Sequence, residues 1–124
     1  MGFTLMIVDD SATMRKIIMR TVRIAGITAD RTEEAGNVIE ALEKLSQSPV
    51  DMMLVDVNMP GMKGDELVKK VRELSSCTAT KIIMVSTESS KEYIDRAIAS
   101  GANGYITKPF TPENFQKQLA QFTS

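Results

Sequence analysis

The stretch Val50–Gly64, V-D-M-M-L-V-D-V-N-M-P-G-M-K-G, decides how the rest of the chain is to be read. A run rich in apolar residues ends in one carboxylate, Asp56, and soon breaks at Met59-Pro60-Gly61. Such a run, bounded by turn residues, marks a strand buried on both faces, as in a parallel sheet. Asp56 then stands at the carboxyl end of that strand, the edge where open α/β sheets hold their ligands. Asp also starts turns in its own right. By itself the stretch leaves both roles open, and the flanking sequence has to separate them.

Upstream, Leu5 to Val8 is a short apolar run that ends in Asp9-Asp10. In S-A-T-M-R-K-I-I-M-R-T-V-R-I-A-G, Met14, Ile17, Ile18, Val22 and Ala25 recur at helical spacing and Gly26 supplies the stop. Asp10 or Ser11 caps that helix. Ile27 to Arg31 is a weak second strand, and Ala35, Val38, Ile39, Leu42 and Leu45 mark a second helix closed by Ser46 to Pro49. Downstream of Asp56, Leu67, Val68, Val71 and Leu74 give a third helix and Lys81 to Ser86 a fourth buried strand. Ser89 with Glu92 forms a capping-box pattern, followed by Ile94, Ala97 and Ile98 on one face and a stop at Gly101. Gly104 to Thr107 is short and β-prone. Thr111-Pro112 opens a last helix with Phe115, Leu119 and Phe122 inside. Strand and helix thus alternate five times, which predicts a single α/β domain over residues 1–124, its parallel sheet covered by helices on both faces.

Composition narrows the chemistry. A chain of 124 residues builds a core without staples, and its net charge of −1 and pI near 5.5, with no basic run, argue against nucleic acid. No apolar run approaches a membrane span, and the N-terminus lacks a signal peptide's features, so a cytoplasmic location is expected. The lone Cys77 rules out an internal disulfide; set in the polar segment S-S-C-T-A-T, it reads as incidental. The nine methionines read as core filling. There is no histidine, which removes Ser-His-Asp triads, histidine metal sites and any phosphohistidine of the chain's own.

What remains is a set of polar groups at strand ends: Asp9-Asp10, Asp56, Ser86-Thr87, and Thr107-Lys108-Pro109 after the last strand. Taken singly, the acids are helix caps, the hydroxyls turn residues and Lys108 a solvated lysine. Taken together they fall on one edge of the sheet, within reach of one small ligand. Clustered carboxylates need a cation; Lys108 is one, and an oxygen-only, histidine-free site suits Mg²⁺. Such a set supports phosphoryl transfer onto a carboxylate, with Asp56 as nucleophile, Mg²⁺ and Lys108 neutralising charge, and the Ser86 hydroxyl donating to a phosphoryl oxygen.

The segments V-D-D-S-A-T-M-R, L-V-D-V-N-M-P-G-M-K-G, M-V-S-T-E and G-Y-I-T-K-P-F, in this order and spacing, resemble the receiver domain of two-component response regulators over the whole chain, and most of all its stand-alone chemotaxis type. The resemblance implies a flavodoxin-like, doubly wound five-stranded sheet in the order 2-1-3-4-5 with five helices. It implies that Asp56 accepts phosphate from a separate histidine kinase, and that Asp9, Asp10, Asp56 and the Asn58 carbonyl surround Mg²⁺. Lys108 then pairs with the phosphoryl group, and its bond to Pro109 is cis. Ser86 is the switch hydroxyl, Tyr105 the aromatic that follows it, and Lys91 a further residue of the output face, which spans helix four, strand five and helix five (roughly Ser89 to Ser100 and Asn103 to Phe122). The chain then catalyses its own aspartyl phosphorylation and dephosphorylation, but is primarily a signalling protein. Its implied partners are the kinase, a downstream protein such as a flagellar motor switch, and a phosphatase. A phosphorelay intermediate or a phosphate sink would use the same receiver.

The sequence departs from the family pattern in two places. Ser86 stands where many members have threonine, losing the methyl that restricts the rotamer. Lys63 stands where an acid is common. Asn58 and Glu88 look like the polar pair of faster-hydrolysing receivers and point to a short-lived phosphoryl state. A haloacid-dehalogenase-type phosphatase would instead carry D-x-D after strand one, and a flavodoxin-like electron carrier would need a hydroxyl-rich loop there and aromatics for its flavin. A pure interaction domain would have no use for the full set of acids, hydroxyl and lysine.

Overall fold

The computed structural model describes residues 3–56, 64–77, 79–87 and 90–123. Five strands alternate with five helices: β1 (Thr4–Val8), α1 (Ala12–Ile24), β2 (Arg31–Ala35), α2 (Val38–Gln47), β3 (Met52–Asp56), α3 (Gly64–Glu73), β4 (Lys81–Ser86), α4 (Lys91–Ala99), β5 (Gly104–Thr107) and α5 (Pro112–Thr123). A short 3-10 turn, Ser75–Cys77, follows α3. All strand pairs are parallel, in the order β2-β1-β3-β4-β5. This is the doubly wound, flavodoxin-like arrangement that the alternation and the resemblance led us to expect.

The expected central strand is buried along its whole length. Its side chains alternate between two cores. Met53 and Val55 join Met6, Val8, Ile82 and Met84 beneath α2, α3 and α4; Met52 and Leu54 join Leu5, Ile7, Ile83 and Val85 beneath α1 and α5. Phe115 and Leu119 are fully buried and dock α5. Burying each such side chain contributes about 1.5–3 kcal/mol.

Local signals explain most element ends. Ser11, not Asp10, caps α1, its hydroxyl accepting from the Met14 amide at 3.2 Å. Gly26 and Gly101 end α1 and α4 with φ of 87° and 119°, a region that side chains disfavour. Thr111 caps α5 through the Asn114 amide, with Pro112 at the first helical position.

Four expectations are corrected. The second strand is not Ile27 to Arg31 but Arg31–Ala35, R-T-E-E-A, which lacks an apolar alternation because it lies at the sheet edge with β1 as its one neighbour. Ala35 therefore belongs to that strand; α2 buries Val38, Ala41 and Leu45 instead, while Ile39 is 71 % exposed. Ile17 and Ile98 likewise stand largely in solvent. At α4 the cap is Ser90, which accepts from the Tyr93 amide, and Ser89 lies outside the described residues. Cys77, although set in a polar segment, is fully buried in the core beneath α3, as suits an unreactive thiol.

Arg72, near the end of α3, ties the amino edge of the sheet together. Its guanidinium donates to the carbonyls of Cys77, Thr80 and Gly101 and to Asn103 Oδ1, at 2.7–3.2 Å. The same Asn103 oxygen accepts from the Ile82 amide at 2.8 Å. The starts of β4 and β5 and the end of α4 are thus joined through one side chain, on the edge opposite the acids.

Candidate functional site

Strand register assembles the site. Val8 pairs with Val55, so Asp9 follows β1 level with Asp56, the last residue of β3, and Asp56 in turn pairs with Val85. Ser86 ends β4 opposite Thr107 of β5, and the Lys108 amide donates to the Ser86 carbonyl at 2.6 Å. The carboxyl ends of β1, β3, β4 and β5 therefore deliver Asp9, Asp56, Ser86 and Lys108 to one place. The Lys108–Pro109 bond is cis, as expected.

Asp9 and Asp56 are nearly inaccessible, at 2 % and 5 % exposure, and Asp10 is exposed at the mouth. Carboxylate oxygens of the three lie within 4.8 Å of one another. Lys108 Nζ stands 3.4 Å from Asp56 Oδ1, an ion pair with both side chains largely buried. Three acids against one lysine leave an excess of two negative charges among these four groups. Burial pushes the Asp9 carboxyl above its ordinary range; Asp56 and Asp10 push the same way, and the Ser11 amide and Lys108 oppose them. Asp9 Oδ1 accepts from the Ser11 amide at 2.9 Å, whereas the buried Oδ2 has no hydrogen-bond partner among the described residues. An orphaned buried oxygen beside two further carboxylates is the donor set of a hard dication. Asp9, Asp10 and Asp56 would each offer one carboxylate oxygen to such an ion, which would neutralise their mutual repulsion.

Strand alternation divides the remaining residues. Ser86, fully buried, shares a sheet face with Tyr105, whose register partner Met84 lies two residues before it. Tyr105 meets Tyr93 of α4 edge-on, ring centroids 6.3 Å apart at 74°. The sheet face that carries Ser86 thus also carries Tyr105, which meets α4 through Tyr93. Lys91 opens α4 far out in solvent, paired with Asp95 at 3.0 Å. Such an exposed pair contributes little. Asn58, Lys63 and Glu88 lie outside the described residues.

Two residues in this neighbourhood escaped the sequence reading. Tyr93 was hidden because one aromatic on a helix carries no signal for its partner. Arg15 was hidden because a basic residue in an amphipathic helix reads as solvated, yet its guanidinium reaches the Asp9 carbonyl and Glu34.

Comparison with known proteins agrees with this geometry. Residues 5–120 match the family model of the response regulator receiver domain. The chain is 42 % identical over 116 residues to the chemotaxis protein CheY1 of Helicobacter pylori, covering 93 % of this chain and 92 % of that one. It is 43 % identical to a CheY homologue of Campylobacter jejuni over 93 % of this chain and 88 % of that one. Among solved structures, the chemotaxis response regulator CheY4 of Vibrio cholerae superposes with a TM-score of 0.86 at 38 % identity, covering 98 % and 99 % of the two chains. No helix among the described residues is long and apolar enough to cross a membrane. With its parallel sheet in the order 2-1-3-4-5, its acids and lysine gathered at one edge, and a family match over nearly its whole length, the chain belongs to the receiver domains of response regulators.

Proposed function

We propose that residues 1–124 act as one phosphorylation-dependent switch in which Asp56 accepts a phosphoryl group from a histidine kinase. The carrying observation is Asp56 itself: buried at the end of the central strand, 3.4 Å from Lys108, with the oxygens of Asp9 and Asp10 within 4.8 Å. These 124 residues contain no histidine, so the donor's phosphohistidine lies outside them. An Asp56 oxygen attacks phosphorus, the N–P bond of the donor's phosphohistidine breaks, and the electron pair leaves on the imidazole. The product is an acyl phosphate on Asp56.

Positioning and charge do most of the catalysis in such a transfer. Asp9, Asp10, Asp56 and the Asn58 carbonyl would hold Mg²⁺, which supplies charge neutralisation and orientation for the phosphoryl oxygens. Lys108 offsets the remaining charge, and Ser86 donates to a phosphoryl oxygen once its side chain turns to the site. That movement opens space for Tyr105, and Tyr105 in contact with Tyr93 carries the change to α4 and β5. A downstream protein reads that face.

The relatives named above are chemotaxis proteins, which supports a place for this switch in a motility pathway, with a flagellar motor component as the reader. Incubation with acetyl phosphate and Mg²⁺ tests the core of the reading. One phosphate should add by intact mass and be lost on Asp56→Asn. No adduct, or one that survives the substitution, refutes it.

A further inference from the structure

We propose that Arg15 is a positioning residue of the acidic pocket, fixing the backbone at Asp9 and thereby the pocket's affinity for a divalent cation. The inference rests on the metal-holding role proposed for Asp9. The end of a strand leaves backbone groups to be satisfied outside the ladder. At Asp9 the amide donates to the Ala35 carbonyl at 3.1 Å, which is the last contact with β2. The carbonyl has no strand partner among the described residues and accepts from Arg15 Nη1 at 2.6 Å. With Oδ1 held by the Ser11 amide, Asp9 is secured at its amide, its carbonyl and one carboxylate oxygen. The other carboxylate oxygen is the one left over for a ligand.

The guanidinium is itself fixed. Nε donates to Glu34 Oε1 at 2.9 Å, and the Arg15 side chain is only 18 % exposed. Glu34 is braced in turn by Lys44, whose ammonium donates to the Glu34 carbonyl. One planar fork therefore spans the ends of β1 and β2, a geometry that an ammonium cannot reproduce.

Titration calorimetry with Mg²⁺ on the intact chain, together with the amide NMR shifts of Asp9 and Ser11, separates this from plain support of the fold. The parent should bind and Asp9→Asn should not; a parent that fails to bind would refute the metal reading itself. Given binding, Arg15→Met should raise the dissociation constant about tenfold, the low end for groups that orient metal ligands, and move both amide shifts. Arg15→Lys should stay weak despite its charge. Glu34→Ala, which frees Nε and keeps Arg15, should weaken binding about threefold. A parental constant in a folded Arg15→Met, even with a lowered melting temperature, or full recovery in Arg15→Lys, overturns the proposal. Should Arg15→Met not fold, a parental constant in Glu34→Ala overturns it instead.

Discussion

Asp9→Asn should make the metal-free protein more stable while removing its response to Mg²⁺. Asp9 is 2 % exposed and shares a 4.8 Å neighbourhood with Asp56. Two unit charges about 4.8 Å apart repel by about 3.5 kcal/mol at an effective dielectric constant of 20. Lys108 attracts both and cancels part of this, so the substitution should gain about 1–2 kcal/mol at neutral pH in a chelator. Asparagine keeps the oxygen that accepts from the Ser11 amide, so that donor retains its partner. The pH dependence has a definite sign. The folded carboxyl of Asp9 titrates above its unfolded value, so between the two values the native state holds the extra proton and stability falls as pH rises. The mutant's advantage should thus be absent below the ordinary carboxylate range, grow through the window up to the raised folded value, and stay constant above it. Urea unfolding of both proteins in chelator, from acid to neutral pH, reads this directly. Mg²⁺ at 100 times its dissociation constant should return about 2.7 kcal/mol to the parent and little to the mutant. A mutant less stable than its parent in chelator at neutral pH, or equal gains from Mg²⁺, would refute the reasoning.

Two further outcomes are expected. Ser86→Ala should still take phosphate on Asp56 but lose about 1 kcal/mol of coupling to α4, about a fivefold loss in the partner's preference for the phosphorylated form; phosphorylation-induced NMR shifts at Tyr93 and Tyr105 should shrink with it, and unchanged shifts would remove Ser86 from the switch. Gly101→Ala forces a side chain to φ 119° and sets a Cβ 2.9 Å from Cγ of the hydrogen-bonded Arg72, so the urea midpoint should fall by the equivalent of about 2–4 kcal/mol with an unchanged m-value.

What could be read in the sequence depended on where each residue sits in the sheet. Central strands are covered on both faces and announce themselves as apolar runs, so β3 and β4 and the acid ending β3 were visible at once. β5 was visible as well, short as it is, because Thr111-Pro112 and Phe115 place the helix behind it. β2 was misplaced by four residues because an edge strand is free of that apolar requirement. Ile39 and Ile98 misled for the opposite reason: spacing alone cannot tell which side of a broad apolar stripe meets the sheet. At the site, one-dimensional order placed the acids, Ser86 and Lys108 at the same edge, because parallel strands all end there. Arg15 and Tyr93 stayed hidden because their partners lie on other elements, and no local pattern encodes a contact across the fold.

The polar strand β2 matters beyond the fold it completes. An open sheet offers its outermost backbone groups to any passing strand, and among the described residues β2 is paired on one side alone, by β1. Here the border carries Arg31, Glu33 and Glu34, with Arg31 3.5 Å from Glu33. A second copy approaching edge to edge would have to strip water from these charges. The bare rim therefore discourages end-on polymerisation, and crowding favours no growing ribbon of sheets. Encounters between copies, or with other proteins, are left to the helical flanks, where a signalling protein can afford to be recognised.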